Sequence, residues 1–297
     1  MAGLLDGKVA IVTGAGNGLG EAYAKLFAKE GASVVVNDLG CASDGTGHDA
    51  AVAEAVAAEI VAAGGAAVAS DADVATMAGA QAVYDLAIAA FGELHVVVNN
   101  AGVLRDKMFS NMSEDDWDAV IRGHLKTTFC MSRVAMGAWR DENKAGKQLA
   151  NAIVNTSSTS GLIGSVGQTN YGAAKAAIAS LTMILAMEAK RIGVRVNCIV
   201  PAGRTRMTED SPGTKDLVKK PDDGAFDVFA PHHVSPAVAY LASVDCTLTG
   251  RVFMAKGGDI RPFVPWQRMP WIADQREFSV ADVAEFMKNV PDVPVSP

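Results

Sequence analysis

Tyr171 and Lys175 stand four positions apart in the run YGAAKAAIASLTMILAMEAK, whose small and unbranched residues favour a helix. That spacing puts both side chains on one helix face, a turn apart. A lone tyrosine with a reference pKa near ~10 is a poor base at neutral pH, whereas a neighbouring ammonium favours the phenolate. The sequence therefore predicts that Lys175 brings the Tyr171 pKa down toward the range of general acid–base chemistry. Ser158 lies thirteen positions upstream of Tyr171, after the strand-like run Ala152 to Val154, and its hydroxyl can polarise a carbonyl or steady an alkoxide. Hydroxyl, phenol and ammonium together suit moving a proton to and from a secondary alcohol. Tyr-x-x-x-Lys also occurs in ordinary helices, so its weight rests on whether the chain supplies a redox cofactor elsewhere.

The amino-terminal segment predicts one. Lys8 to Thr13, KVAIVT, reads as a short buried strand, and GAGNGLG follows it directly. Gly14, Gly16, Gly18 and Gly20 fall within seven residues, ahead of a helix expected over Glu21 to Lys29. The backbone of this loop, Asn17 and Leu19 included, and the positive end of the helix are placed to face a pyrophosphate. The spacing is G-x-x-x-G-x-G, with Leu19 where the G-x-G-x-x-G pattern needs glycine. A second strand, Ser33 to Asn37, ends at Asp38, twenty residues beyond Gly18, where a carboxylate grips ribose hydroxyls. Asp38 repels a 2′-phosphate, and neither Asn17, Asn37 nor Leu39 offers the cation that NADP needs, so the expected cofactor is NAD. The loop Gly40 to Gly47 is long enough to extend over the adenosine half, though its residues alone assign it no role.

The elements that must position these groups alternate along the chain. Helices are expected around Ala51 to Ala63 and Ala78 to Phe91, and strands over Ala66 to Ser70 and Leu94 to Val98, the rhythm of a parallel sheet covered on both faces. Asp73 and Val74, beyond the third strand, are placed to meet the adenine. Asn99, Asn100, Ala101 and Gly102 close the fourth strand with small residues that let the backbone approach a cofactor.

Thr13-Gly14-x-x-x-Gly18-x-Gly20, Asn99-Asn100-Ala101-Gly102, Ser158 and Tyr171-x-x-x-Lys175 jointly resemble the classical short-chain dehydrogenase/reductase family over roughly the first 260 positions. The resemblance implies one doubly wound Rossmann-like α/β domain with a mostly parallel seven-stranded sheet over residues 1–260, and a carboxy-terminal extension over 261–297. It implies hydride transfer with a nicotinamide, Tyr171 as general acid/base, Lys175 also holding the nicotinamide ribose, and Ser158 orienting the substrate. The family carries a catalytic asparagine on the helix after the fourth strand; here WDAVIRGHLKTTF places His124 there, a candidate for the proton path or a histidine satisfied by nearby carbonyls. NDLG with its long loop, the segment through His124, and GQTNYGAAK resemble a subfamily: the dehydrogenase part of type 2 peroxisomal multifunctional enzymes and their stand-alone bacterial relatives. This likeness implies oxidation of 3-hydroxyacyl-CoA to 3-oxoacyl-CoA, with a fatty-acyl or steroid substrate.

Beyond the reactive helix, a strand over Val194 to Val200 leads to Pro201, and Thr205 or Thr208 is a candidate for holding the cofactor carboxamide. Glu209 to Pro231 reads as a substrate lid, with Lys215, Lys219 and Lys220 available to CoA phosphates. A helix near Pro236 to Ser243 and a strand over Arg251 to Ala255 should complete the sheet, Gly257 and Gly258 turning the chain away. The tail then ends in a helix capped by Ser279 and Asp282, with Val280, Val283, Phe286 and Met287 as one apolar stripe. It is expected to pack on its own domain or a neighbouring subunit.

A hydrophobic content of 49%, 20% charged residues and a net charge of −7 fit a large core and small-molecule partners, and argue against nucleic acid or an anionic membrane. No basic leader precedes the first strand and no apolar run approaches the ~18 residues of a membrane span, so a cytoplasmic protein is expected. Cys41, Cys130, Cys198 and Cys246 form no C-x-x-C, so reduced thiols and no metal site are expected. Small-residue helices around Phe129 and Ala176 suit a homodimer or homotetramer interface.

Overall fold

β1 (Val9–Thr13) is buried along its whole length, since none of its residues offers a charged face to solvent. In this computed structural model, which describes residues 3–210, 214–222, 224–264 and 278–288, β1 lies at the centre of an eight-stranded sheet. β2 (Ser33–Asn37) pairs parallel on one side of it, from Val9↔Ser33 to Thr13↔Asn37. β4 (Val96–Asn99) pairs parallel on the other. With β3 (Ala66–Ser70), β5 (Ala152–Thr156), β6 (Arg195–Pro201), β7 (Val252–Lys256) and β8 (Asp259–Pro262), the order is β3-β2-β1-β4-β5-β6-β7-β8. The chain thus reverses direction between β1 and β4, and the carboxyl ends of these strands open a crevice where doubly wound sheets bind ligands.

The expected seven strands are joined by an eighth. Gly257 and Gly258 fold the chain back rather than away, Gly258 at φ +72°, so that β8 pairs antiparallel with β7 from Lys256↔Asp259 to Phe253↔Pro262. A tight hairpin needs only the two glycines to supply the reversal.

Alternate residues of the central strands feed opposite layers, as the period of two requires. Val12 and Val36 pack with Tyr23 and Phe27 of α1 (Gly18–Lys29), Ile60 of α2 (Ala51–Ala62) and Leu241 of α9 (Ser235–Ala242). Ile11 and Val35 pack with Val83 of α3 (Met77–Phe91), and Met131 and Trp139 of α5 (Thr127–Lys144). Burying each large side chain contributes about 1.5–3 kcal/mol, which is why the strands rather than the loops hold the frame. α4 (Glu114–Ile121) starts at a capping box, Ser113 with Asp116.

By length and apolar content the helical segment Thr169–Ile192 matches a membrane span, contrary to expectation. Its long element α7 (Thr169–Ala189) carries Tyr171 and Lys175, and its Ile178 and Ala179 are buried against Cys198 and Val200 of β6, the packing of a core helix. In the extension, Ser279 and Asp282 bond reciprocally at the start of α10 (Val280–Met287), as the sequence predicts. Val280, Val283 and Met287 are exposed on this single chain; residues 265–277 and 289–297 lie outside the described residues. All four cysteines are free, and no cluster of metal ligands occurs among the described residues.

Candidate active site

α1 begins three residues earlier than its sequence pattern suggests, at Gly18, because the glycines enter the first turn. Asn17 precedes it in an extended conformation and makes no side-chain cap, so the first helical N–H groups stay open toward the crevice. Gly14 has φ +62°, and a Cβ there would stand 2.7 Å from the Ala101 Cα. A Cβ on Gly20 would stand 2.0 Å from the Gly14 carbonyl oxygen. The Thr13 hydroxyl accepts from the N–H of Asn100 at 3.1 Å and of Ala101 at 3.2 Å, and the Asn100 amide donates to Gly14 O at 3.0 Å. Two strand ends are thereby clamped into one backbone cradle that larger residues would fill.

The cradle opens into a groove of about 430 Å³. Gly14, Asn17, Gly18 and Leu19, then Asn100, Ala101 and Gly102, and with them Asp38, Asp73 and Val74 line it. Gly16 and Gly20 lie behind this lining and act on it indirectly: Gly16 N donates to Asp38 Oδ2 at 2.8 Å. Gly40 N donates to Asp38 Oδ1 at 2.7 Å, so each carboxylate oxygen is oriented and still has acceptor capacity for a ribose hydroxyl. Asp73 is less available, since Arg122 pairs with it and Ala75 N donates to it at 2.9 Å. Of the two threonine candidates, Thr205 lies on the groove; Thr208 turns inward, its hydroxyl accepting from Thr205 N at 2.8 Å. Pro201 ends β6 opposite Ala255 and is not part of the wall. An open helix end, a cradle sized for close backbone approach and an oriented carboxylate fit a dinucleotide.

Ser158 caps the short helix α6 (Thr159–Leu162), its hydroxyl accepting from Ser160 N at 3.2 Å. The same hydroxyl faces the Tyr171 phenol. Lys175 is buried, and its ammonium donates to Thr156 O at 2.8 Å, with Nζ 5.5 Å from the centre of the Tyr171 ring. The three expected groups therefore converge. The expected pKa relation does not hold: burial raises Tyr171 above the usual tyrosine value, Ser158 opposes this, and the Asp106 charge adds to it. Lys175 is instead pushed down to about 8 by burial. Desolvation outweighs attraction between the two because both share one enclosed end of the site.

A polar chain that the motifs do not announce runs outward from Ser158. Its hydroxyl donates to Ser160 Oγ at 3.3 Å, Ser160 donates to Gln168 Oε1 at 2.7 Å, and Gln168 Nε2 donates to Asp106 Oδ2 at 2.8 Å. The available signal was the position of Gln168, one turn before Tyr171.

His124 lies on a π-helical turn, Arg122–Lys126, between α4 and α5, a local widening that recurs at functional sites. It is 1% exposed, and its ring meets the Tyr171 ring edge-on with centroids 5.0 Å apart. Burial first, and the Lys175 charge second, hold its pKa well below the ordinary histidine range.

This combination of crevice, glycine cradle and Ser–Tyr–Lys cluster has close counterparts. A family model for short chain dehydrogenases matches residues 8–215, and the chain belongs to that family. It is similar to the hydroxyacyl-CoA dehydrogenase ChsB1 of Mycobacterium tuberculosis, at 43% identity over 86% of this chain and 79% of that one. It is similar as well to the peroxisomal multifunctional enzyme type 2 of Mus musculus, at 42% identity over 89% of this chain but 33% of the mouse protein. Among solved structures, a 3-ketoacyl-(acyl-carrier-protein) reductase from Brucella melitensis complexed with NADH superposes with a TM-score of 0.73 at 31% identity, covering 86% of this chain and 98% of that one. The chain is an oxidoreductase that uses a nicotinamide cofactor.

Proposed function

We propose that the protein is an NAD-dependent 3-hydroxyacyl-CoA dehydrogenase, interconverting a secondary alcohol and a ketone. The observation that carries this reading is the convergence of Ser158, Tyr171 and Lys175 beyond the carboxyl end of β5, on the same sheet edge as the groove that presents the oriented Asp38 carboxylate. Asp38 favours NAD, because a 2′-phosphate there would face a negative charge. NAD⁺, when bound, supplies the carbon that accepts hydride and a positive charge that favours the phenolate. In the oxidative direction Tyr171 takes the hydroxyl proton, Ser158 donates a hydrogen bond to the substrate oxygen, and Lys175 stands ready to orient the cofactor ribose. In the reductive direction the raised pKa of Tyr171 keeps it protonated and ready to act as the acid.

The substrate class rests on the loops at the carboxyl edge of the sheet. Met108 and Phe109 after β4, Ile163 and Val166 after β5, and Leu217 and Phe226 after β6 are exposed apolar side chains, suited to a fatty-acyl or steroid body. Arg204 pairs with Asp227 and donates to Val218 O at 2.9 Å, fastening this lid segment near the end of β6. Lys219 is paired with Asp216, leaving Lys215 and Lys220 as the better candidates for CoA phosphates. The reductase relative supports a second reading, reduction of a 3-oxoacyl carrier protein, which Asp38 disfavours where NADPH is the donor. Exposed Phe129, Ile184 and Met187 on α5 and α7 favour a homodimer or homotetramer, and we place the protein in the cytoplasm.

The test is NADH formation from a panel of 3-hydroxyacyl-CoA esters, run with NAD and NADP and with Tyr171→Phe. NAD-dependent turnover abolished in the variant supports the reading. Preference for NADP, or full turnover by the variant, rejects it.

A further inference from the structure

A serine hydroxyl carries a single proton, and at Ser158 two acceptors compete for it. The substrate oxygen needs it, and Ser160 Oγ stands 3.3 Å away. The far end of the polar chain, at Asp106, decides which acceptor holds it in the resting site. A carboxylate only accepts, so the Gln168 amide must turn Nε2 toward Asp106 Oδ2, at 2.8 Å, and Oε1 toward Ser160. That amide oxygen also only accepts, so Ser160 gives it its own proton at 2.7 Å. Ser160 Oγ then faces Ser158 with lone pairs alone, and the Ser158 proton has to point at it.

The ends of this chain are fixed independently of it. Lys107 N donates to Gly167 O at 2.9 Å and Asn170 Nδ2 to Arg105 O at 3.1 Å, which stitches the loop carrying Asp106 to the start of α7. Arg105 and Lys107, the neighbours of Asp106, pair with Asp115 at 2.5 Å and with Asp116 at 2.6 Å. At the near end Ser160 N donates to Ser158 Oγ at 3.2 Å, so the serine keeps its place whichever way its proton turns.

We propose that Gln168 and Ser160 are positioning residues that draw the Ser158 proton away from the substrate, so that the site holds the alcohol in preference to the ketone. The proposal rests on the alcohol–ketone reading above. No bond forms or breaks along the chain; only the direction of one hydroxyl changes. A ketone oxygen can only accept, and it has to win the Ser158 proton back from Ser160. An alcohol brings a proton of its own, which Ser158 or Tyr171 can accept without that cost. The Ser158–Ser160 contact, at 3.3 Å, is longer than the usual hydroxyl bond of about 2.7–2.8 Å, so the hold is weak and reversible, as a site that must also steady a developing ketone requires. The same hold keeps the proton from the Tyr171 phenolate, and it eases release of the ketone after oxidation.

Ser160→Ala removes the competing acceptor and leaves the Ser160 N–H bond to Ser158 in place, while Ser160→Thr keeps a hydroxyl. The first measurement needs no substrate: the ¹³C resonance of Tyr171 Cζ is followed against pH in the NAD⁺-bound protein and assigned by its loss in Tyr171→Phe. The titratable groups around the phenol, Lys175 from α7, Asp106 from the β4 loop and His124 from the π-helical turn, are the same in the wild type and both Ser160 variants, so a change reports Ser158. With its proton freed, Ser158 donates to the phenolate, and the titration should move to lower pH in Ser160→Ala and stay in place in Ser160→Thr. The second measurement is product inhibition of the oxidation. The inhibition constant of the 3-oxoacyl-CoA should fall about 2- to 5-fold in Ser160→Ala, with the KM of the alcohol changing less. A Tyr171 titration that stays in place or moves up in Ser160→Ala, a threonine variant that behaves as the alanine one, or ketone and alcohol affinities that change together overturns the proposal. Absence of wild-type turnover on 3-hydroxyacyl-CoA would remove the substrate reading instead, and the Tyr171 titration would still decide the direction of the Ser158 proton.

Discussion

The Ser43 hydroxyl donates to the Asp210 carboxylate at 2.5 Å, joining residues 167 positions apart in the chain. Beside it, Arg206 donates to Cys41 O at 2.9 Å, and on the opposite wall Arg105 donates to Asp44 O at 2.9 Å. The long loop after β2 is thus a strap across the cofactor groove, tied to the β4 loop and to α8 (Arg206–Asp210) at the start of the lid.

Loosening that strap should speed cofactor release. Each exposed hydrogen bond contributes about 0.5–1.5 kcal/mol, so Ser43→Ala with Arg206→Ala should raise the NADH dissociation rate about 3- to 10-fold. Stopped-flow fluorescence reads this directly. An unchanged rate would mean that the strap stays closed during release.

Asp106 should set the pH at which oxidation becomes efficient. Its negative charge is among the causes that raise Tyr171, after burial, and the base form of Tyr171 is the one that takes the substrate proton. Oxidation should therefore increase with pH in the wild type. Asp106→Asn removes the charge, lowers the Tyr171 pKa and moves the rising limb of kcat/KM to lower pH. A profile that stays in place would show that the charge is screened.

Lys175 should cost stability in exchange for function. Its folded pKa is lowered from 10.5 to about 8, so the buried ammonium opposes folding in full below pH 8, and this opposition fades between pH 8 and 10.5. Lys175→Met should stabilise the fold at neutral pH by about 1–2 kcal/mol, after allowing for the lost bond to Thr156 O. The gain should shrink toward pH 10.5, while activity falls at least about 100-fold. Thermal melts across that pH range decide it; a gain that does not vary with pH would place its origin in packing.

Gly102 and His124 should be coupled in stability. Gly102→Ala drives a methyl into the imidazole and should cost about 1–3 kcal/mol, as overpacking does. Adding His124→Ala removes the ring, so most of that cost should disappear in the double variant. Additive losses in denaturant unfolding would mean that the methyl meets a different obstacle.

Much of this molecule was legible from short stretches of chain. The extents of β2 and β3 match their hydrophobic runs, and the Ser279–Asp282 cap forms as spelled. The glycine loop and Asp38 line one groove, and Ser158, Tyr171 and Lys175 come together as their spacing suggests. Strand periodicity, helix spacing, caps and glycine turns depend on neighbours within a few residues, so a one-dimensional reading reaches them. β8 escaped because its four residues, Asp259–Pro262, carry no apolar alternation and exist as a strand only by pairing with β7. The strap and the chain from Ser158 to Asp106 escaped because each joins remote segments or depends on one hydroxyl's direction. The pKa values escaped for a related reason. Adjacency of Tyr171 and Lys175 is a property of the sequence, but the desolvation that raises one and lowers the other is a property of everything packed around them. Residue types and local spacing determined which chemistry this chain carries; enclosure in the folded site decided how those groups hold their protons.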